Sequence, residues 1–124
     1  MWHGVVEVIL ADSSVWIDHL RRGNAALVRA LQAGSIVVHP FVIGELACGS
    51  LRRRSEVLAE LGRMPRIAAV EHEEVMALVE GHRLASTGIG WIDAHLMAAA
   101  VIARAELWTL DRSLRDAWSR IGPR

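Results

Sequence analysis

Four carboxylates in this 124-residue sequence stand at positions from which they could act together: Asp12, Glu45, Asp93 and Asp111. Two ionised carboxylates about 4 Å apart repel by roughly 4 kcal/mol at an effective dielectric constant of about 20, so protons or a cation must neutralise such a group. The sequence has no lysine, and no arginine lies beside all four positions. A hard divalent cation, Mg²⁺ or Mn²⁺, takes oxygen ligands and keeps waters that can be activated for attack on a phosphodiester.

Each of these residues also has a structural alternative. Asp12 and Asp93 are placed to cap helices, and Asp111 is placed as a turn residue before Ser113. Glu45 lies between apolar residues and has no capping role, so its alternative is simple exposure at the surface. The four carboxylates can act in one site only if the fold brings all four side chains together.

Hydrophobic patterning predicts an alternation of strands and helices. Short apolar runs, rich in β-branched residues, predict strands over residues 5–10, 36–38, 67–70 and 107–110. Apolar residues at helical spacing predict helices over residues 14–22, 24–33, 41–51, 55–63, 72–86 and 92–105, with a further helix after the last strand. This alternation is typical of an α/β layered fold with a mainly parallel sheet, and residues 1–124 are predicted to form a single domain.

All four carboxylates fall at one edge of the predicted sheet. In parallel sheets the helices leave from the carboxyl ends of the strands, which is also where ligands bind. Asp12 follows the first strand, Glu45 lies in the opening turns of the helix after the second, and Asp111 follows the fourth. Asp93 opens the helix that leads to the fourth strand. This coincidence favours a functional site over four unrelated caps and surface residues.

Composition excludes several classes of protein. Hydrophobic residues make up 52% of the chain and charged residues 23%, which excludes a disordered or fibrous chain. Acidic and basic residues number 14 each, so no overall charge draws the protein to nucleic acid or to an anionic membrane. No apolar run approaches the roughly 20 residues that span a bilayer, and the start lacks the pattern of a signal peptide. The single cysteine, Cys48, suits a reducing compartment, so we expect a cytoplasmic protein.

Around the four carboxylates the sequence resembles a PIN domain, and more narrowly the VapC-type toxins of toxin–antitoxin modules. The segment LADSSVWIDHLR resembles the first motif of the family, with its aspartate at Asp12. VIGELACGS resembles the second motif, built on Glu45 with Gly49 four residues on. WIDAHLMAAAVIARAELWTLDRSL resembles the third and fourth motifs, at Asp93 and Asp111. The four motifs occur in order along nearly the whole chain.

The resemblance implies a PIN-like three-layer α/β/α sandwich with a small, mainly parallel sheet. It implies the activity of a Mg²⁺- or Mn²⁺-dependent endoribonuclease in which the four carboxylates hold the metal, directly or through water. It further implies an RNA substrate, a cognate antitoxin that occupies the acidic groove, and a homodimer.

Residues next to the four carboxylates are expected to support them. Ser13 and Thr109 are candidates for hydrogen bonds that orient the carboxylates. Arg112 and Arg115 are candidates for contact with phosphates of the substrate. Apolar surroundings favour core or dimer packing over stacking on bases for four tryptophans: Trp16, Trp91, Trp108 and Trp118.

The sequence departs from the family pattern in two places. The family often has a second acidic residue two positions after the fourth motif's aspartate, where this chain has Ser113. Asp111 is therefore the weakest of the four ligand assignments. Family members usually finish with another strand, whereas this chain ends shortly after Ile121, so a final strand is expected to be missing or shortened.

Rival functions fit parts of the pattern. A phosphate-accepting receiver domain and a dehalogenase-type phosphatase also carry an aspartate after the first strand, but both rely on a lysine near the acidic site, and this chain has none. A catalytically silent interaction module with the same fold is the alternative to the nuclease. Such a module gains nothing from the mutual repulsion of four carboxylates, which favours the enzyme.

Overall fold

The computed structural model of the chain describes residues 7–122. These residues form three short strands and seven helices. In chain order they are β1 (Ile9–Ala11), α1 (Ser13–Arg22), α2 (Ala25–Gln32), β2 (Ile36–Val37), α3 (Pro40–Cys48), α4 (Arg54–Arg63), α5 (His72–Gly81), α6 (Trp91–Ala103), β3 (Glu106–Trp108) and α7 (Arg112–Ile121). No helix in this range is long and apolar enough to span a membrane.

The three strands form one parallel sheet in the order β2-β1-β3. Ile9 of the central strand pairs with Ile36 on one side and with Glu106 on the other. Leu10 and Ala11 are completely buried, as expected for a strand covered on both faces. The predicted α/β class with a small parallel sheet is confirmed. Because all three strands run the same way, their carboxyl ends meet at one edge.

The predicted strand over residues 67–70 is wrong. Only a single parallel bridge between Val38 and Arg66 is present there, with Ile67 N–H donating to the Val38 carbonyl at 3.1 Å. Ile67 is buried, but Ala68 and Ala69 are exposed, so the segment has little apolar surface to place in a sheet. The alanine-rich pattern was not distinguishable from a buried strand by its apolarity alone.

Two helices end earlier than the pattern predicts. The helix predicted over residues 72–86 ends at Gly81, and beyond it Arg83 and Ser86 adopt left-handed backbone conformations with φ of 53° and 63°. The helix predicted to reach residue 51 ends at Cys48. Within residues 7–122 no strand follows β3, in agreement with the expected loss of the family's final strand.

Helix α6 is the most deeply buried helix among the described residues. All seven consecutive residues 94–100 are buried, so the middle of this helix packs between other elements, whereas Val101 and Ile102 near its end are exposed. Helix α7 packs with Leu114, Ala117 and Trp118 inward, and Trp118 Nε1 donates to Glu106 Oε1 at 2.7 Å. This packing holds the first turns of α6 and α7 against the carboxyl edge of the sheet.

Candidate functional site

Asp12 lies at the carboxyl end of β1 and is held by hydrogen bonds on both carboxylate oxygens. Its Oδ1 accepts from the Val15 backbone N–H at 3.2 Å and from Ser14 Oγ at 2.5 Å, while its Oδ2 accepts from Thr109 Oγ1 at 2.5 Å. Only 5% of the residue is exposed. The helix-cap alternative is therefore correct for Asp12, and the same bonds give its carboxylate one fixed orientation.

Two hydroxyl groups join the ends of β1 and β3 around this carboxylate. Ser14 Oγ accepts from the Leu110 backbone N–H at 2.9 Å, and Thr109 Oγ1 accepts from the Asp111 backbone N–H at 3.0 Å. Each hydroxyl thus donates to Asp12 and accepts from the loop that carries Asp111. The predicted contact of Thr109 with a carboxylate is present.

Sequence reasoning selected Ser13 and missed Ser14. The Ser14 hydroxyl bonds to Asp12, whereas the Ser13 hydroxyl interacts with Glu45 and lowers the pKa of that carboxyl group. Successive residues of a helix point about 100° apart, so two adjacent serines can serve two different carboxylates. The pair of serines directly after a capping aspartate was the signal that could have identified both.

Asp93 and Asp111 also bond to backbone groups at helix starts. Asp93 Oδ2 accepts from the Gly90 N–H at 3.1 Å at the start of α6, and Asp111 Oδ1 accepts from the Ser113 N–H at 3.0 Å at the start of α7. Within residues 7–122 neither carboxylate has another hydrogen bond, so one oxygen of each stays available to a ligand. The capping role and a ligand role are compatible.

Glu45 lies on the exposed side of α3 and caps nothing. Loss of hydration raises its pKa, the Ser13 hydroxyl partly offsets that, and the charges of Asp93 and Asp12 raise it further. The pKa of Asp93 is raised by burial first and by the charges of Asp111 and Asp12, against the Gly90 N–H that lowers it. The charges of Asp12 and Asp93 therefore act on Glu45, and those of Asp12 and Asp111 act on Asp93.

Arginine does not neutralise this group. The ion pairs present in the described part of the chain join Arg22 to Asp18, Arg53 to Glu56 and Arg63 to Glu60. In their present positions, no three acidic, imidazole or thiol side chains of residues 7–122 are close enough to hold one metal ion. The donor chemistry suits a hard divalent cation, and binding one would require the carboxylates to move closer together.

We expect Glu45→Gln to stabilise the protein when no metal is present. Because folding raises the pKa of Glu45, its ionised carboxylate costs stability, and this cost begins above the ordinary pKa and is complete above the raised one. The residue is exposed, so solvent screening limits the gain to less than about 1 kcal/mol, or a few degrees in Tm. Thermal unfolding at pH 7 in a chelator measures it.

Glu56→Gln is the matched control, because Glu56 faces Arg53 at 3.9 Å and its loss should leave Tm unchanged or slightly lower. A lower Tm for Glu45→Gln would contradict mutual repulsion. Asp93→Asn compares two effects of the Asp93 carboxylate, its repulsion by the other carboxylates and its cap at the start of α6. A rise in Tm without metal favours repulsion, and a fall favours the helix-cap role.

His39 is completely buried where β2 leads into α3. Its Nδ1 accepts from the Phe41 backbone N–H at 2.9 Å, which places the proton of the neutral ring on Nε2. Nε2 is buried and has no hydrogen-bond partner among the described residues. Burial first, and then the charge of His95, lowers the pKa of His39 to about 4.

This neutral histidine should make stability depend on pH. Its folded pKa of about 4 lies below the ordinary 6.5, so its stabilisation is complete above pH 6.5 and is lost as the pH falls through 4. The shift corresponds to about 3 kcal/mol. The pKa values of Glu45 and Asp93 are raised, so the contributions of these two groups to stability become more favourable as the pH falls, opposite to that of His39.

His39→Asn isolates the histidine, because asparagine keeps the capping acceptor and does not titrate. Urea unfolding between pH 7 and pH 4 should show a fall in stability for the wild type that is larger by about 3 kcal/mol than the fall for the variant. Parallel curves for the two proteins would show that His39 does not titrate as described.

The two arginines predicted to contact substrate lie in the first turn of α7, directly after Asp111. Both are exposed. Arg115 donates from Nη2 to the Thr109 carbonyl at 3.4 Å and lines a cleft of about 500 Å³ beside β3 with Trp108 and Trp118. Phosphate contact remains a prediction for both.

Core packing is confirmed for two of the four tryptophans, and packing of Trp91 in a dimer stays a prediction. Trp16 and Trp118 are buried and Trp108 is partly buried, whereas Trp91 is 40% exposed. Trp91 is the first residue of α6, where the chain enters from a surface loop. An apolar context in the sequence did not reveal that the first turn of this helix faces solvent.

Comparison with known proteins agrees with this fold and site. Residues 9–118 match the PIN domain, and the chain belongs to the PIN-domain family. Over 116 residues it is 42% identical to ribonuclease VapC32 of Mycobacterium tuberculosis, in strains CDC 1551 / Oshkosh and ATCC 25618 / H37Rv, across 93% of this chain and 94% of that protein. The resemblance to VapC-type proteins that the four motifs indicated is thereby confirmed.

Proposed function

We propose that the protein is a divalent-metal-dependent endoribonuclease that hydrolyses RNA phosphodiester bonds as the toxin of a toxin–antitoxin pair. The observation that carries this proposal is the grouping of Asp12, Glu45, Asp93 and Asp111 at one sheet edge without a neutralising arginine, in a chain 42% identical to a ribonuclease. The same observation disfavours a catalytically silent module, since a cluster of uncompensated carboxylates costs stability.

The four carboxylates would hold the metal, for which we propose Mg²⁺ or Mn²⁺. When bound, such an ion lowers the pKa of water and stabilises charge on the phosphate oxygens. Asp12, fixed on both oxygens, would supply a preset ligand, while Glu45 has the freedom to adjust. We assign Thr109 and Ser13 to orienting carboxylates, and Arg112 and Arg115 to binding phosphates of the RNA.

The proposed partners follow from the same reasoning. A cognate antitoxin that covers the acidic edge would silence the enzyme, and we propose a homodimer as its working form. Cys48 is a free, exposed thiol, which suits action in the reducing cytoplasm, where RNA is available.

Product analysis tests the proposed chemistry. In hydrolysis, water oxygen bonds to phosphorus, the bond to the leaving ribose oxygen breaks, and that oxygen takes a proton. We therefore expect linear phosphate ends and no 2′,3′-cyclic phosphate when an unstructured RNA is cut in Mg²⁺. Replacing the ribose at the cut site by 2′-deoxyribose should leave cleavage intact. A 2′,3′-cyclic phosphate product would exclude direct attack by water, whereas loss of cleavage with the deoxy substrate and linear ends on RNA would show that the enzyme recognises the 2′-hydroxyl.

A further inference from the structure

Four aromatic rings form a continuous row across the first turns of α3, α5 and α6. Phe41 lies 4.8 Å from His95, His95 lies 4.6 Å from Trp91, and Trp91 lies 5.0 Å from His72, measured between ring centroids. The His95 ring is perpendicular to Trp91 and inclined by 61° to Phe41. Edge contacts of this kind stabilise aromatic pairs.

Two rings of this aromatic row, those of Phe41 and Trp91, are open to solvent. Phe41 is 39% exposed and Trp91 is 40% exposed, whereas His95 beneath them is only 7% exposed. His95 Nδ1 is buried and has no hydrogen-bond partner among residues 7–122. The row therefore presents two large apolar surfaces to solvent above a packed, rigid base, and solvent-exposed apolar surface grouped in this way marks a binding site.

The aromatic row is continuous with the carboxylate site. Phe41 precedes Glu45 by four residues on α3, so the two lie on one stripe of the helix. Trp91 lies on the same stripe of α6 as His95, about 200° around the helix from Asp93. The 4.8 Å contact between the rings of Phe41 and His95 places α3 and α6 side by side. A polymer held at Glu45 would meet Phe41 one helical turn away, and from Phe41 the row leads through His95 to Trp91.

We propose that Phe41 and Trp91 form a platform on which unpaired bases of the RNA stack next to the bond that is cut. The inference rests on the proposed function and names its substrate class as single-stranded RNA. Bases are free to stack on protein aromatics only when they are not stacked within a duplex. The phosphates enter the acidic site with a cation, and the flanking bases supply apolar faces that complement the two rings.

A double-mutant cycle between protein and RNA tests the platform. The kcat/KM for cleavage in Mg²⁺ is measured for the wild type, Trp91→Ala, Phe41→Ala and Trp91→Phe. The substrates are an unstructured RNA and the same RNA with abasic sites flanking the cleaved bond. Ile102→Ala, at the far end of α6 and 60% exposed, is the matched control for loss of exposed apolar surface. The mass of each protein in solution is determined at the assay concentration.

We expect Trp91→Ala and Phe41→Ala each to lower kcat/KM on the intact RNA by about 5- to 100-fold, with Trp91→Phe retaining most activity. Removing the flanking bases should lower the kcat/KM of the wild type by a similar factor. It should have little further effect on the kcat/KM of the two alanine variants. Ile102→Ala should match the wild type on both substrates.

Three outcomes would overturn the platform. Alanine variants that cut intact RNA normally, while the wild type is active, would refute stacking and leave the proposed function standing. Equal losses on intact and abasic RNA would show that the rings do not contact bases. A change in mass confined to the alanine variants would show that the rings join two copies of the chain. A wild type that cuts no RNA would instead refute the proposed function itself, and the platform with it.

Discussion

Asp12→Asn and Asp93→Asn should each lower kcat/KM for RNA cleavage by roughly 10²- to 10³-fold while the protein stays folded. A metal in a hydrolytic site supplies several kcal/mol of charge stabilisation, and each 1.36 kcal/mol is a factor of ten in rate. Asparagine keeps the size of aspartate and an acceptor oxygen for the helix cap, but it removes the negative charge that would hold the ion. Cleavage of an unstructured RNA, with circular dichroism as the measure of folding, gives both results.

Asp116→Asn is the control for these variants. Asp116 is an exposed aspartate of α7, outside the group of four carboxylates. Its loss should not change cleavage. If Asp12→Asn or Asp93→Asn cut RNA as well as the wild type, the catalytic assignment of that residue would be wrong. Asp111→Asn should have a smaller effect, because Asp111 is exposed and lacks the acidic neighbour that the family often carries at position 113.

Removing divalent metal should abolish cleavage, and adding Mg²⁺ or Mn²⁺ back should restore it. Burial and mutual charge raise the pKa values of Glu45 and Asp93, and a bound cation would offset this repulsion. Binding to the folded state alone also stabilises it, by about 2.7 kcal/mol at an ion concentration of one hundred times Kd. Thermal unfolding with and without Mn²⁺ therefore provides a second readout that does not depend on activity.

The stabilisation by Mn²⁺ should be absent in Asp12→Asn and present in Asp116→Asn. Cleavage that persists in excess chelator would exclude a metal-dependent mechanism. An increase in Tm of equal size in the wild type and in Asp12→Asn would place the ion elsewhere on the protein.

Much of the secondary structure was predictable because it depends on neighbours a few residues apart. Helical spacing of apolar residues located seven helices to within a few residues at most ends. The short strands around Leu10, Ile36 and Leu107 were found from their runs of apolar residues. The alanine-rich run after Ile67 was wrongly assigned, because strand formation depends on a partner strand and on burial that the run itself does not encode.

The candidate site was predictable in its residue types and only partly in its contacts. Topology alone implies that residues after parallel strands meet at one edge, and the mutual charge effects among the four carboxylates agree with that. The partners of Asp12 were not predictable in the same way. Thr109 was selected for its position beside Asp111, yet its hydroxyl bonds to Asp12, 97 residues earlier in the chain.

The amino-acid sequence by itself determined the helices, the order of the elements, the family and the four carboxylates, since these follow from short-range periodicity and from motifs. Only the tertiary structure decided which oxygen accepts from Ser14 or Thr109, and which tryptophan stays exposed. Those features arise from contacts between residues distant in the chain, and from burial, which is a property of the assembled molecule. A local sequence pattern encodes neither the long-range contacts nor the burial.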